Sequence, residues 1–145
     1  MQEMMEELSQ LYKALMDSAA DAIIVIDTAG LIRHFSLSAE ILFGHTASDC
    51  IGQNIKMLMP EPYRSEHDGY LQGYHRTGKA SIIGAGRDVT GLHRDGRTFP
   101  MHLSVGKANF KKQTYYIGIC HDLSDYKKTL SEKLHIESLQ NALFD

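Results

Sequence analysis

The chain has almost no cysteine, no excess of basic charge and no long apolar run, and each shortage removes a class of function. Its 145 residues contain two cysteines. Cys50 and Cys120 lie far apart, in no metal-ligand or redox spacing, which suits reduced, buried thiols in a cytoplasmic protein. The net charge of −3 supplies no basic field, so nucleic acid is not an expected partner. The longest purely aliphatic run, Ile23-Ile24-Val25-Ile26, is far too short to span a bilayer. The N-terminal MQEMMEEL is acidic and lacks the apolar stretch of a secretory signal. Repeats and low-complexity segments are missing. So are a Walker loop, a dinucleotide fingerprint, a nucleophile elbow and an HExxH helix. Nothing here reads as a catalytic machine, and a regulatory, non-enzymatic fragment is expected.

What is present is enough apolar residue, 43%, for one core. Met1, Met4, Leu8, Leu11 and Leu15 alternate spacings of three and four, as on an a/d seam. Two heptads are short for an independent coiled coil. The helix can therefore fold onto its own domain or pair with a second copy. Ala19 to Asp27 is rich in β-branched residues and reads as a buried strand ended by the turn Asp27–Gly30. Leu31 to Ser36 can return beside it. Ser38 to Gly44 is a short helix capped by serine and stopped by glycine. A second short helix covers Thr46 to Cys50, and Gly52 to Met59 reads as a single irregular turn.

After Pro62, positions 67, 70, 71 and 74 (His67, Tyr70, Leu71, Tyr74) fall on one helical stripe, which makes His67 either a satisfied core residue or a ligand. Gly69 and Gly73 each cost that helix about 1 kcal/mol relative to alanine, which makes sense if something flat, or another backbone, lies close. The period then changes from 3.6 to 2. Asp95-Gly96 is a type I′ hairpin signal between Gly86–Arg94 and Arg97–Ala108. Phe99, Met101, Leu103 and Val105 share one face of the second arm, and Thr98, Pro100, His102 and Ser104 the other. In a last strand, Tyr115 to Leu123, Tyr116, Gly118 and Cys120 oppose Tyr115, Ile117 and Ile119. From Asp125 the chain is helical again, with Tyr126, Leu130, Leu134, Ile136, Leu139 and Leu143 on a broad apolar side. Asp122 is placed to anchor that helix. The expected organisation is α+β, a five-stranded antiparallel sheet with short helices over one face. An N-terminal amphipathic helix (1–17) precedes the domain (18–124), and a linker helix (125–145) follows it.

The segments DAIIVIDTAGLI, AE-x-LFG, IGQN-x-x-x-LMPEP, R-x-x-HD-x-Y, IIG-x-GR-x-VTG, RDG-x-TFPMHLS-x-G and HDLS resemble PAS domains, and specifically the haem-PAS domain of FixL-type oxygen sensors. The resemblance covers nearly all of Leu11–Asp125. It implies the PAS fold and haem b, with His67 as the iron ligand through a ring nitrogen. It also implies an apolar distal wall from Ile82, Leu103 and Val105, and an Arg87 that pairs with a propionate or turns to bound oxygen. Three positions depart from that pattern: Gly73 and Ser81 stand where the sensors carry propionate partners, and Ala85 where they carry a larger aliphatic residue. The flavin photosensor branch of the family is not matched, because Asn54 is followed by Ile55 and not by the reactive cysteine.

The candidate cofactor-contacting set is His67, Tyr70, Ile82, Arg87, Met101, Leu103, Val105 and Gly118, with His67 the metal ligand. Each has a plainer reading: a buried neutral imidazole for His67, a salt bridge to a carboxylate for Arg87, core packing for Met101. The remaining histidines, His34, His45, His93, His102, His121 and His135, show no ligand spacing and are expected at the surface. The whole reads as a cytoplasmic sensory domain, homodimeric, answering a small ligand or diatomic gas. It would control an effector in the same chain, a histidine kinase first and a diguanylate cyclase second. His135 is not followed by a phosphoacceptor box. The alternative is a cofactor-free or other small-ligand-binding PAS dimerisation module.

Overall fold

The computed structural model describes residues 2–62, 64–65 and 86–144. Helix α1 (Gln2–Ser18) leads into the hairpin β1 (Ala22–Asp27) and β2 (Ile32–Phe35). Two short helices follow, α2 (Leu37–Phe43) and α3 (Ala47–Cys50), then a 3₁₀ turn (Ile55–Leu58). Strands β3 (Arg87–Leu92), β4 (Thr98–Phe110) and β5 (Gln113–Asp122) come next, and α4 (Ser124–Phe144) ends the chain. Among the described residues the sheet has five strands in the order β2-β1-β5-β4-β3, each pair antiparallel. The α+β expectation holds.

Local chemistry explains the elements. The Asp27 carboxylate accepts the Ala29 and Leu31 N–H groups and pairs with Arg33 at 2.7 Å, closing the β1–β2 turn. Helix α2 starts two residues earlier than its sequence suggests. Ser36, not Ser38, is its N-cap, because the buried Ser36 Oγ accepts both Ala39 N–H (3.2 Å) and Ile23 N–H (2.9 Å). Ser38 Oγ is committed elsewhere and donates to the Ala19 carbonyl. Gly44 closes the helix at φ +78°, and a Cβ there would sit 2.5 Å from the His93 ring. The irregular turn expected over 52–59 contains an organised 3₁₀ element, capped by Asn54 Oδ1 accepting Lys56 N–H.

The β3–β4 hairpin departs from its expected turn type. At Asp95-Gly96 only Gly96 has positive φ (+91°), so the turn is not type I′. Gly96 N–H reaches the His93 carbonyl and Asp95 Oδ1 takes the Arg97 N–H, while Arg94 N–H is spent on the Phe43 carbonyl. Those bonds hold a three-residue loop against the end of α2. The two-residue turn with both φ values positive is Lys111 (50°) and Lys112 (65°), between the paired Phe110 and Gln113.

One sheet face and the short helices enclose the core. Phe43 lies 6.2 Å from Phe35 and 5.5 Å from Phe99, ring centre to centre. Ile24, Ile26, Ile32, Cys50, Leu58, Met101, Tyr116 and Cys120 fill the remainder. Helix α1 meets the domain through buried Met16 and through Tyr12, whose ring lies edge-on to His34 at 5.2 Å. Its stripe of Met4, Leu8, Leu11 and Leu15 stays 53–60% exposed. On α4, Tyr126, Leu130 and Leu134 share a stripe, whereas Ile136 and Leu139 fall on another side of the helix. No helix among the described residues is long and apolar enough to cross a membrane.

Candidate functional site

Strand alternation and register set the inner face of the sheet. Arg87 on β3 stands opposite Leu103 on β4, and Leu103 opposite Cys120 on β5. In the next row Val105 pairs with Gly118, and Gly118 with Ile24 of β1. Met101 lies opposite Val89. Residues opposite one another share a face, and so do those two apart along a strand. Arg87, Met101, Leu103, Val105 and Gly118 are therefore gathered on one surface; spacing along β4 accounts for Met101, Leu103 and Val105, and strand register brings Arg87 and Gly118 to them. His67, Tyr70 and Ile82 of the same candidate set lie outside the described residues.

Each of the five contributes differently. Met101 is 7% exposed and belongs to the core, so it backs the site more than it lines it. Leu103 and Val105 are half-buried and pack against the core from its margin, forming an apolar floor. Gly118 leaves a dip in that floor between Val105 and Ile24. A Cβ built there would meet Leu103 Cδ1 at 3.5 Å and the Ile24 carbonyl oxygen at 3.8 Å, so the dip would accept one methyl group at ordinary contact distance. Arg87, a half-buried residue, stands at the edge of this floor, and a guanidinium is suited to the carboxylate of an otherwise apolar guest. Cys120, beside Leu103, is an unreactive neighbour, since burial pushes its thiol up to about 12. The arrangement can seat an apolar body and hold an anionic group; among the described residues it offers no nucleophile–base pair and no cluster of three or more metal-ligating side chains.

The outer face holds what the spacing did not reveal. His121 on β5 and His102 on β4 are register partners, each 42% exposed or more. The Nδ1–H of His121 donates to Asp21 Oδ1 at 2.7 Å, and that of His102 to Asp88 Oδ1 at 3.0 Å. Lys127 of α4 reaches Asp88 Oδ2 at 3.6 Å. The sequence puts these histidines at the surface, and they are there. Their carboxylate partners depend on strand register, which no local pattern carries. At the end of β5, Asp122 Oδ1 accepts the Ser124 N–H (2.9 Å) and the Ser124 hydroxyl (2.7 Å), anchoring the start of α4.

The sheet has one apolar face with short helices across it and a helix leaving its central strand, and the PAS fold family matches residues 10–123. The chain belongs to that family. It is a PAS sensor domain related to those of histidine kinases. It is 44% identical over 126 residues to the sensor protein FixL of Bradyrhizobium diazoefficiens, covering 87% of this chain and 25% of FixL. It is 31% identical over 121 residues to the cell-division control histidine kinase PdhS of Brucella ovis, covering 83% of this chain and 11% of PdhS. Among solved structures, the PAS domain of an HTR-like protein from Haloarcula marismortui superposes with a TM-score of 0.66 at 22% identity, covering 83% of this chain and 96% of that one. The chain thus spans a quarter or less of the two curated relatives named here.

Proposed function

We propose that this domain senses a small ligand seated on the inner face of the sheet, that the ligand is haem b bound through His67, and that the signal is a diatomic gas such as oxygen. The observation that carries the reading is the floor of Leu103 and Val105, dipped at Gly118 and edged by Arg87. A large apolar ring bearing carboxylates matches such a surface: the floor takes the ring and the guanidinium takes a carboxylate. Support also comes from the 44% identity to FixL, a sensor protein. Bound haem would supply an iron centre able to take a diatomic gas. The chain's own residues would hold the group, keep water from the gas side and answer the guest's charge through Arg87.

The output belongs to an effector domain of the same protein, a histidine kinase ahead of a diguanylate cyclase, and two copies pair through their helices. The exposed stripe Met4-Leu8-Leu11-Leu15 supports that pairing, because α1 already packs on its own domain through Tyr12 and Met16 and leaves this stripe uncovered. Haem titration of the 145-residue chain and of His67→Ala tests the ligand. The expected result is a Soret band in the first that is lost or displaced in the second. An identical band in both excludes His67 as the ligand. No band in either overturns haem and leaves a cofactor-free or other small-ligand PAS module.

A further inference from the structure

A polar row crosses the outer face of the sheet at the end where both flanking helices join it. Asp21 lies between α1 and β1, His121 near the end of β5, His102 opposite it on β4, and Asp88 opposite His102 on β3. Both outer contacts of the row are short, 2.7 Å for Asp21–His121 and 3.0 Å for His102–Asp88, and Lys127 in the first turn of α4 completes it on Asp88. The row therefore ties the entry of β1 to β5 through Asp21–His121, and ties β4, β3 and the exit helix to one another through His102, Asp88 and Lys127. Gly86, whose φ is +72°, leaves room for the His102 ring: a Cβ there would lie 2.6 Å from His102 Nε2.

We propose that Asp21, His121, His102, Asp88 and Lys127 form a proton-operated clasp that fixes where α1 and α4 meet the sheet. The groups facing His121 are Asp21, the neighbouring Asp122 and the cross-strand His102; those facing Asp88 are His102 and Lys127. The hydrogen bond to Asp21, and then its charge, raise the His121 pKa above 6.5. The bond from His102, reinforced by the charge of Lys127, lowers the Asp88 carboxyl below 3.8. The charged His121 link therefore needs an ionised Asp21 and a protonated imidazole, and it is lost as pH rises through the raised histidine value. The Asp88 link is complete above the carboxylate range and is lost only as pH falls through the lowered value. Both halves are engaged between those limits, and a rise of pH through the raised His121 value opens the Asp21–His121 half first. Because His121 precedes the helix anchor Asp122 by one residue, its release acts on the start of α4.

The test is an NMR titration of the histidine rings, run with amide hydrogen exchange, in the whole chain and in Asp21→Asn and Asp88→Asn. In the unmodified chain His121 should titrate above the ordinary histidine value, and in Asp21→Asn it should return toward that value. Exchange at 124–127, corrected for its intrinsic pH dependence, should speed up by about two- to fivefold as His121 loses its proton, and should not respond in Asp21→Asn. Asp88→Asn should speed exchange there by a similar factor at every pH while leaving the His121 midpoint in place. An unchanged His121 midpoint in Asp21→Asn, or the same pH course of exchange in both chains, overturns the clasp. Unchanged exchange in Asp88→Asn removes Lys127 from it. None of these readings depends on haem, so the clasp and the ligand proposal stand or fall separately.

Discussion

Replacing Ser36 with alanine should remove more stability than any surface serine can. Ser36 is 1% exposed, and its hydroxyl oxygen accepts two backbone N–H groups: Ala39 in the first turn of α2, and Ile23 in β1. Loss of the N-cap bond costs about 1 kcal/mol, within a range of roughly 0.5–2. Leaving the Ile23 N–H without its acceptor in a part-buried strand adds about 1–2 kcal/mol. The sum is about 2–3 kcal/mol. With a urea m-value of about 2 kcal/mol/M, the midpoint should fall by about 1–1.5 M. Equilibrium urea unfolding followed by circular dichroism measures this directly. Ser36→Thr, which keeps the oxygen, should recover most of the loss, and Ser38→Ala, which gives up one bond to the Ala19 carbonyl, should cost less. A loss below about 0.5 kcal/mol for Ser36→Ala would refute the reasoning, because it would mean that neither N–H depends on that oxygen.

Two further outcomes follow from the backbone and from the exposed helix stripe. Changing Lys111-Lys112 to Asn-Gly should raise stability by about 1–2 kcal/mol, since both lysines hold positive φ in a two-residue hairpin turn that Asn-Gly adopts readily; urea unfolding with no gain would argue against that turn. Leu8→Glu combined with Leu11→Glu, on side chains 53% and 59% exposed, should leave folding intact and convert a dimer to a monomer at tens of micromolar in sedimentation; unmodified chain that is already monomeric there would refute pairing through α1.

Much of this molecule could be read from local pattern. The runs Ala22–Asp27 and Thr98–Val105 alternate or cluster as strands must, and Gly44 ends its helix because a left-handed residue is needed there. The inner-face set was legible for the same reason: a period of two puts Met101, Leu103 and Val105 together whatever the partner strands are. Turn geometry was less legible. Asp-Gly is the strongest two-residue hairpin signal, yet the Asp95 side chain caps Arg97 and the Arg94 N–H is drawn to Phe43, so tertiary contacts chose a longer loop. The outer row was invisible for a different reason. His102 and His121 are nineteen positions apart in the chain, and only the β4–β5 register, set by the length of the Lys111-Lys112 turn, makes them neighbours.

The last six residues of β5 bring the proposed functions within reach of one another. Ile117 and Ile119 face outward, Gly118 and Cys120 inward, His121 outward again, and Asp122 holds the first turn of α4. A guest pressed into the dip at Gly118 bears on a central strand, hydrogen-bonded on both sides to β1 and β4. Such a strand cannot bend freely at one residue without losing bonds to both neighbours, so displacement at Gly118 is carried along it toward Asp122. Three residues separate Gly118 in the floor of the pocket from Asp122, the anchor of the exit helix, and the clasp sits between them at His121. The proposed ligand signal and the proposed proton signal would therefore converge on the same helical start, by way of opposite faces of one strand. If so, ligand binding should alter the His121 titration midpoint, and pH should alter ligand affinity by the same free energy, a reciprocity that ring titration with and without bound ligand can measure. An identical midpoint in both states would show that the two faces of β5 act independently.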